Sequence, residues 1–155
     1  MVNRMAEGST HVFRVSVRPK IYRDIEIDSG KSLYDLAEAI VSAFDFGFDH
    51  AFGFYDKLTG NYTQSPLRYE LFADMDGGSS DARSVKRTSV AQAFKGVGSK
   101  MLFLFDYGDE WRFKVEVIGL GKKKPKARYP KVVASVGKAP PQYPDPDEDD
   151  VDEEL

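Results

Sequence analysis

Cysteine is absent from all 155 residues, which excludes disulfide frameworks, thiolate zinc sites, iron–sulfur clusters and thiol nucleophiles, and is compatible with a reducing compartment. No apolar run approaches the ~20 residues that a membrane-spanning helix needs, and the opening MVNRMAEGSTHVF lacks the apolar stretch of a secretion signal. The expectation is a cytoplasmic protein with no membrane partner. Histidine occurs only as His11 and His50, and neither lies in a metal-ligand pattern such as HExxH, so no metal is expected. The phosphate-binding GxxxxGK-Ser/Thr loop, the dinucleotide GxGxxG and the nucleophile elbow GxSxG are also missing. Hydrolase, kinase and nucleotide-binding readings therefore have no motif behind them, and no cofactor is expected.

What is present is a chain with 41% hydrophobic and 13% aromatic residues, enough for one domain with its own core. Its net charge of -3 hides two opposed blocks. Pro144 to Leu155 carries eight acids and no base, leaving 17 acids against 22 bases in residues 1–143. So acidic a run cannot bury enough apolar surface to offset its chain entropy, so a disordered tail is expected over 144–155. Residues 1–10 are expected to be a flexible N-terminus and 11–143 a single domain.

Alternation over His11 to Val17 and again over Ile21 to Ile27 predicts two strands, joined most simply as a hairpin. Arg23 falls on the apolar side of the second, where it must snorkel or meet a carboxylate. Ser32 as N-cap and Asp35 three residues on open a helix whose Leu33, Leu36, Ala37, Ile40, Val41 and Phe44 form one stripe, and Gly47 helps end it. Strand composition returns at Ala51 to Lys57, followed by a turn to Asn61 and a short extended piece around Leu67 to Phe72. Asp74 to Arg83, rich in glycine and aspartate, reads as a mobile loop, and Thr88 to Phe94 as a short capped helix. Met101 to Phe105 is apolar throughout, as suits a strand buried on both faces, and Trp111 to Ile118 alternates cleanly. The order implies an α+β domain, a mixed and mostly antiparallel sheet with one main helix packed across it. A ubiquitin-like grasp is one candidate topology.

Two segments could carry recognition. Between the last two predicted strands lie Asp106, Tyr107, Gly108, Asp109 and Glu110, with Gly108 free to take the positive φ of a tight hairpin. Three acids so close suit a divalent cation or acid–base work, although aspartates beside glycine more often cap turns. His50 is a candidate proton carrier or, more commonly, a hydrogen-bonded structural histidine. Gly121 to Lys131 holds Lys122, Lys123, Lys124, Lys126, Arg128 and Lys131 with Tyr129, a pattern suited to phosphate contact or to a solvated loop protecting a strand edge. No recognition helix or base-stacking platform accompanies it, so sequence-specific readout is not expected.

Taken together, YRDIEI, SLYDLAEAIVSAF, FDHAFGFYD, FLFDYGDEWRFKVEV and YPKVVASVGKAPP resemble, in that order, the plasmid pRiA4b ORF-3-like family, also described as passenger proteins of insertion elements. The resemblance runs from about His11 to Pro141 and singles out Asp106, Tyr107, Gly108, Asp109 and Trp111, with Arg23 and His50 as further motif positions. It implies an α+β domain of unassigned role and supplies no mechanism. Where the family often reads Cys-Pro-Pro-Glu-Asp, this chain has Ala139, Pro140, Pro141, Gln142 and Tyr143, so a role resting on that cysteine or glutamate does not carry over. The leading expectation is a non-enzymatic binding or accessory module that meets nucleic acid, or another protein, through the basic segment. One alternative is a small-ligand protein or enzyme whose cleft gathers Arg23, His50, Asp106, Tyr107, Asp109 and Trp111. Another is a protein-interaction domain with an exposed sheet edge.

Overall fold

Phe13 and Val15 on one strand and Ile25 and Ile27 on the next are buried on the same side, and this shared apolar face holds the first hairpin in register. The computed structural model describes residues 8–74 and 82–143. Strands β1 (Ser9–Arg18) and β2 (Ile21–Asp28) form that hairpin. β1 opens two residues earlier than alternation alone indicates, because Ser9 and Thr10 pair with Lys122 and Gly121. The expected flexible N-terminus otherwise falls on residues 1–7, outside the described residues, as does the expected acidic tail 144–155.

Helix α1 (Leu33–Ala43) starts at the expected capping box: the Asp35 amide donates to Ser32 Oγ (3.1 Å) and the Ser32 amide to Asp35 Oδ2 (3.3 Å). Its end differs from expectation. The left-handed position belongs to Asp45 (φ 60°) rather than to Gly47. Leu33, Leu36, Ala37, Ile40 and Val41 are all buried, as the stripe requires.

The chain continues through β3 (Phe52–Tyr55), β4 (Arg68–Glu70), β5 (Arg83–Ser84), helix α2 (Val90–Ala93), β6 (Lys100–Phe105), β7 (Trp111–Lys122) and β8 (Lys131–Val136). All described strands lie in one sheet ordered β5-β4-β3-β6-β7-β1-β2-β8, antiparallel except for β4 with β5. A mixed, mostly antiparallel sheet with one main helix is the α+β architecture expected. The connectivity is not that of a ubiquitin-like grasp, which pairs its first strand with a parallel neighbour; β1 is antiparallel to both β2 and β7. The expected mobile loop falls mainly on residues 75–81, outside the described residues.

β6 is covered on both faces, as its composition predicts. Phe103 and Phe105 join α1 in the main core, while Leu102 and Leu104 join Tyr55 on the opposite face, with Tyr62 and Tyr107 packed against them. β8 was hidden in the sequence: its alternation is broken by a bulge opposite Asp24 and Ile25, and its apolar residues are half exposed at the sheet edge.

Candidate functional site

The turn joining β6 to β7 closes through an unusual division of labour. Positive φ falls on Asp106 (67°) and Glu110 (53°), not on Gly108, and the Glu110 amide donates to the Asp106 carbonyl (2.6 Å). Asp106 Oδ1 accepts from the Gly108 and Asp109 amides (3.1 and 3.3 Å), so the aspartate recovers part of the cost of its left-handed backbone through an Asx turn. Its other oxygen is left facing His50 Nε2 at 3.4 Å. His50 is held by the segment between α1 and β3, with its ring edge-on to Phe105 (5.9 Å).

Residues that sequence reasoning missed complete this cluster. His50 Nε2 lies 3.5 Å from Asp49 Oδ1 and 2.5 Å from the Tyr143 hydroxyl, which donates to Asp49 Oδ2 (3.1 Å). With its one proton committed to Asp49, that hydroxyl can only accept from His50, which places a proton on Nε2. Gln142 latches the same strap: its Oε1 accepts from the Gly47 amide (2.7 Å) and its Nε2 donates to the Gly47 carbonyl (3.3 Å). Local desolvation first, then the bond to Asp49, hold the Tyr143 hydroxyl above its ordinary pKa, and Asp106 and Asp109 add to this through space. Chemically this is an imidazole set between two carboxylates and capped by a phenol. Among the described residues, no group of three or more His, Cys, Asp or Glu side chains is placed to hold a metal ion.

The other cleft candidates diverge. Tyr107 turns to the opposite sheet face, where its hydroxyl meets that of Tyr55 (2.8 Å), which in turn donates to Glu70 Oε2 (2.6 Å). Burial pushes the Tyr107 phenol up to about 12 and the Tyr55 phenol further still. Trp111 packs edge-on to Phe46 (4.8 Å), and its buried Nε1 has no hydrogen-bond partner among the described residues. Arg23 neither snorkels to solvent nor meets a carboxylate among the described residues; 9% exposed, it donates to the carbonyls of Tyr22 (2.9 Å), Ala43 (3.2 Å), Val136 (3.1 Å) and Gly137 (3.0 Å), with its guanidinium over the Phe44 ring. It ties the end of α1 to the end of β8. The structure thus brings His50 and Asp106 together, with Asp109 within electrostatic reach, and leaves Arg23 and Tyr107 elsewhere.

The basic segment is not wholly loop. Lys122 ends β7 and Lys131 begins β8, and the residues between them cross from one strand to the other past the ends of β1 and β2. This crossover is fastened at Lys123, whose amide donates to the Gly8 carbonyl (2.7 Å) and whose ammonium pairs with Asp28 Oδ2 (2.9 Å). Desolvation opposes the Asp28 charge, yet the Gly30 amide and Lys123 together hold its pKa below the usual carboxylate range. The Lys124 amide donates to the Tyr129 hydroxyl (3.0 Å), and the Lys131 ammonium lies 5.3 Å from that ring's centre. Lys122, Lys124, Lys126 and Arg128 are exposed, and their side chains make no ion pair among the described residues.

No helix among the described residues is long and apolar enough to cross a membrane. No curated protein matches the chain. A solved structure, a protein of unknown function designated MM3350 from Methanosarcina mazei Go1, shares the fold: the TM-score is 0.66 at 21% identity, over 86% of this chain and 72% of that one. A family model for plasmid pRiA4b ORF-3-like proteins matches residues 11–144, a span that holds the opening hairpin, α1, the Asp106 turn and the crossover. The chain belongs to the plasmid pRiA4b ORF-3-like protein family.

Proposed function

We propose that this protein is a non-enzymatic binding module that meets the phosphates of nucleic acid through its crossover, consistent with an accessory role beside a mobile element. The observation that carries the reading is the set of four exposed cations, Lys122, Lys124, Lys126 and Arg128, unpaired within the described residues and borne on a backbone fastened at Lys123 and Tyr129. Such cations are still hydrated, so phosphate contact releases counterions without first breaking an internal ion pair. Four contacts predict that log affinity falls with log salt with a slope of roughly -3 to -4 on duplex DNA. Tyr129 is a single aromatic with its hydroxyl held by the Lys124 amide and the Lys131 ammonium beside its ring, and makes no base-reading platform, so little discrimination between sequences is expected. The competing reading as a small-ligand protein or enzyme keeps His50, Asp106 and Asp109 near one another but loses Arg23 and Tyr107 from the same surface.

The test is a gel-shift titration of labelled duplex and single-stranded DNA from low to moderate salt. The expected result is sequence-independent binding with that slope, lost when the four cations are replaced by glutamine. Absence of binding at low salt, in the full chain and in one ending at Tyr143, would remove the nucleic-acid reading.

A further inference from the structure

Alongside α1, at the outer edge of β8, runs an open cleft of about 930 Å³ to which no role has been given. Its floor is apolar, built from Ile25, Val41, Phe46 and Val132. β8 is the last strand of the sheet order, and its outer edge has no backbone partner among the described residues. Val132, Val133 and Val136 on it are 47%, 47% and 40% exposed. A free strand edge beside a helix offers main-chain hydrogen bonds on one side and pockets for alternate side chains on the other, as strand addition requires.

The charges at the cleft's ends say what fits. α1 and β8 run in the same direction, since Lys31 precedes the helix at the end where Lys131 opens the strand, and Arg23 bridges the Ala43 and Val136 carbonyls at the other. Lys31 and Lys131 therefore stand at one end, and Asp45 at the other with Glu38 on the helix wall between. The acids at the lysine end are already engaged: Asp35 accepts from the Ser32 amide, Glu26, opposite Lys131 in the register, accepts from the Thr10 hydroxyl (2.7 Å), and Asp28 pairs with Lys123. We infer that the cleft receives the free C-terminal end of another polypeptide, extended and antiparallel to β8, with its carboxylate at Lys31 and Lys131 and a cationic residue toward Glu38 and Asp45. Antiparallel addition is the only orientation that matches both ends at once. The six residues of β8 span roughly 20 Å, room for a peptide of about six residues. This surface is separate from the four crossover cations, so the inference stands or falls independently of nucleic-acid binding.

The experiment is a nitrogen-15 amide NMR titration of the full chain with a hexapeptide that begins with lysine, continues as alternating valine and threonine, and ends in a free carboxylate. The same peptide with a C-terminal amide serves as its partner probe. Saturable shifts confined to β8 and α1 are expected, with the amidated peptide and the Lys131→Glu protein each binding about tenfold more weakly. Lys31→Glu serves as a second variant should Lys131→Glu not fold, and Lys126→Glu, on the crossover, should bind unchanged. No shifts at millimolar peptide, equal binding of acid and amide, shifts only outside the cleft, or equal sensitivity to Lys126→Glu would each overturn the assignment.

Discussion

A β-carbon at Gly53 would lie 2.8 Å from the hydroxyls of both Tyr55 and Tyr107, so the absence of a side chain there lets the buried hydroxyl chain to Glu70 form. Gly53→Ala should cost about 1 to 3 kcal/mol through this overpacking, read as a lower urea midpoint with unchanged slope. Trp111 sets packing against hydrogen bonding within one side chain. Removing the ring with Trp111→Ala should cost about 3 kcal/mol, because its contact with Phe46 and the core edge is lost. Trp111→Phe keeps much of that contact and removes a buried N–H that has no acceptor among the described residues, so its cost should stay within about 1 kcal/mol. A loss as large as that of the alanine variant would show that the indole nitrogen has a partner in solution.

Single polar residues tie elements together here. Arg23, itself 9% exposed, joins the last turn of α1 to the end of β8 by donating to the Ala43, Val136 and Gly137 carbonyls. Arg23→Met should cost roughly 2 to 4 kcal/mol and speed amide exchange in β8 and the last turn of α1, leaving β1 and β6 protected. His11 ties β1 to α2 in the same way. Its Nε2 lies 2.9 Å from the Phe94 carbonyl and must donate, and in the neutral ring that burial favours Nδ1 accepts from the Ser29 hydroxyl at 2.7 Å. Burial lowers its pKa from 6.5, against the opposing pull of the Phe94 carbonyl. A depressed histidine contributes stability that is present above pH 6.5 and is lost as pH falls through the folded value. The unfolding midpoint should therefore drop on acidification below about pH 6.5, and less so in His11→Gln.

For the whole molecule, recognition and folding are carried by different charges. Lys123 and Arg14 are bound to carboxylates, whereas Lys122, Lys124, Lys126 and Arg128 make no internal ion pair among the described residues. Replacing those four by glutamine should leave stability within about 0.5 kcal/mol while abolishing retention on a phosphate-bearing column; a large fall in melting temperature would show that the crossover is structural. The sheet also separates its surfaces. The His50 cluster, the tyrosine chain and the crossover stand on different parts of one scaffold, and the α1–β8 cleft adjoins the crossover at Tyr129 and Pro130 while the four exposed crossover cations lie outside its lining.

Local periodicity was enough to determine the opening hairpin, the capped and striped α1, the doubly buried β6 and the alternating β7, because each buries its apolar residues at a period that the chain carries within a few residues. The family signature and the run of lysines were equally plain in the sequence. Only the tertiary structure decided the rest, since it depends on which distant backbones meet. Asp45 and Asp106, not the neighbouring glycines, take left-handed backbone; Gln142 and Tyr143 return across more than ninety residues to Gly47, Asp49 and His50; Arg23 finds carbonyls from α1 and β8. β8 itself is a strand because β2 offers a free edge at the right register, a condition that no local pattern of six residues can express.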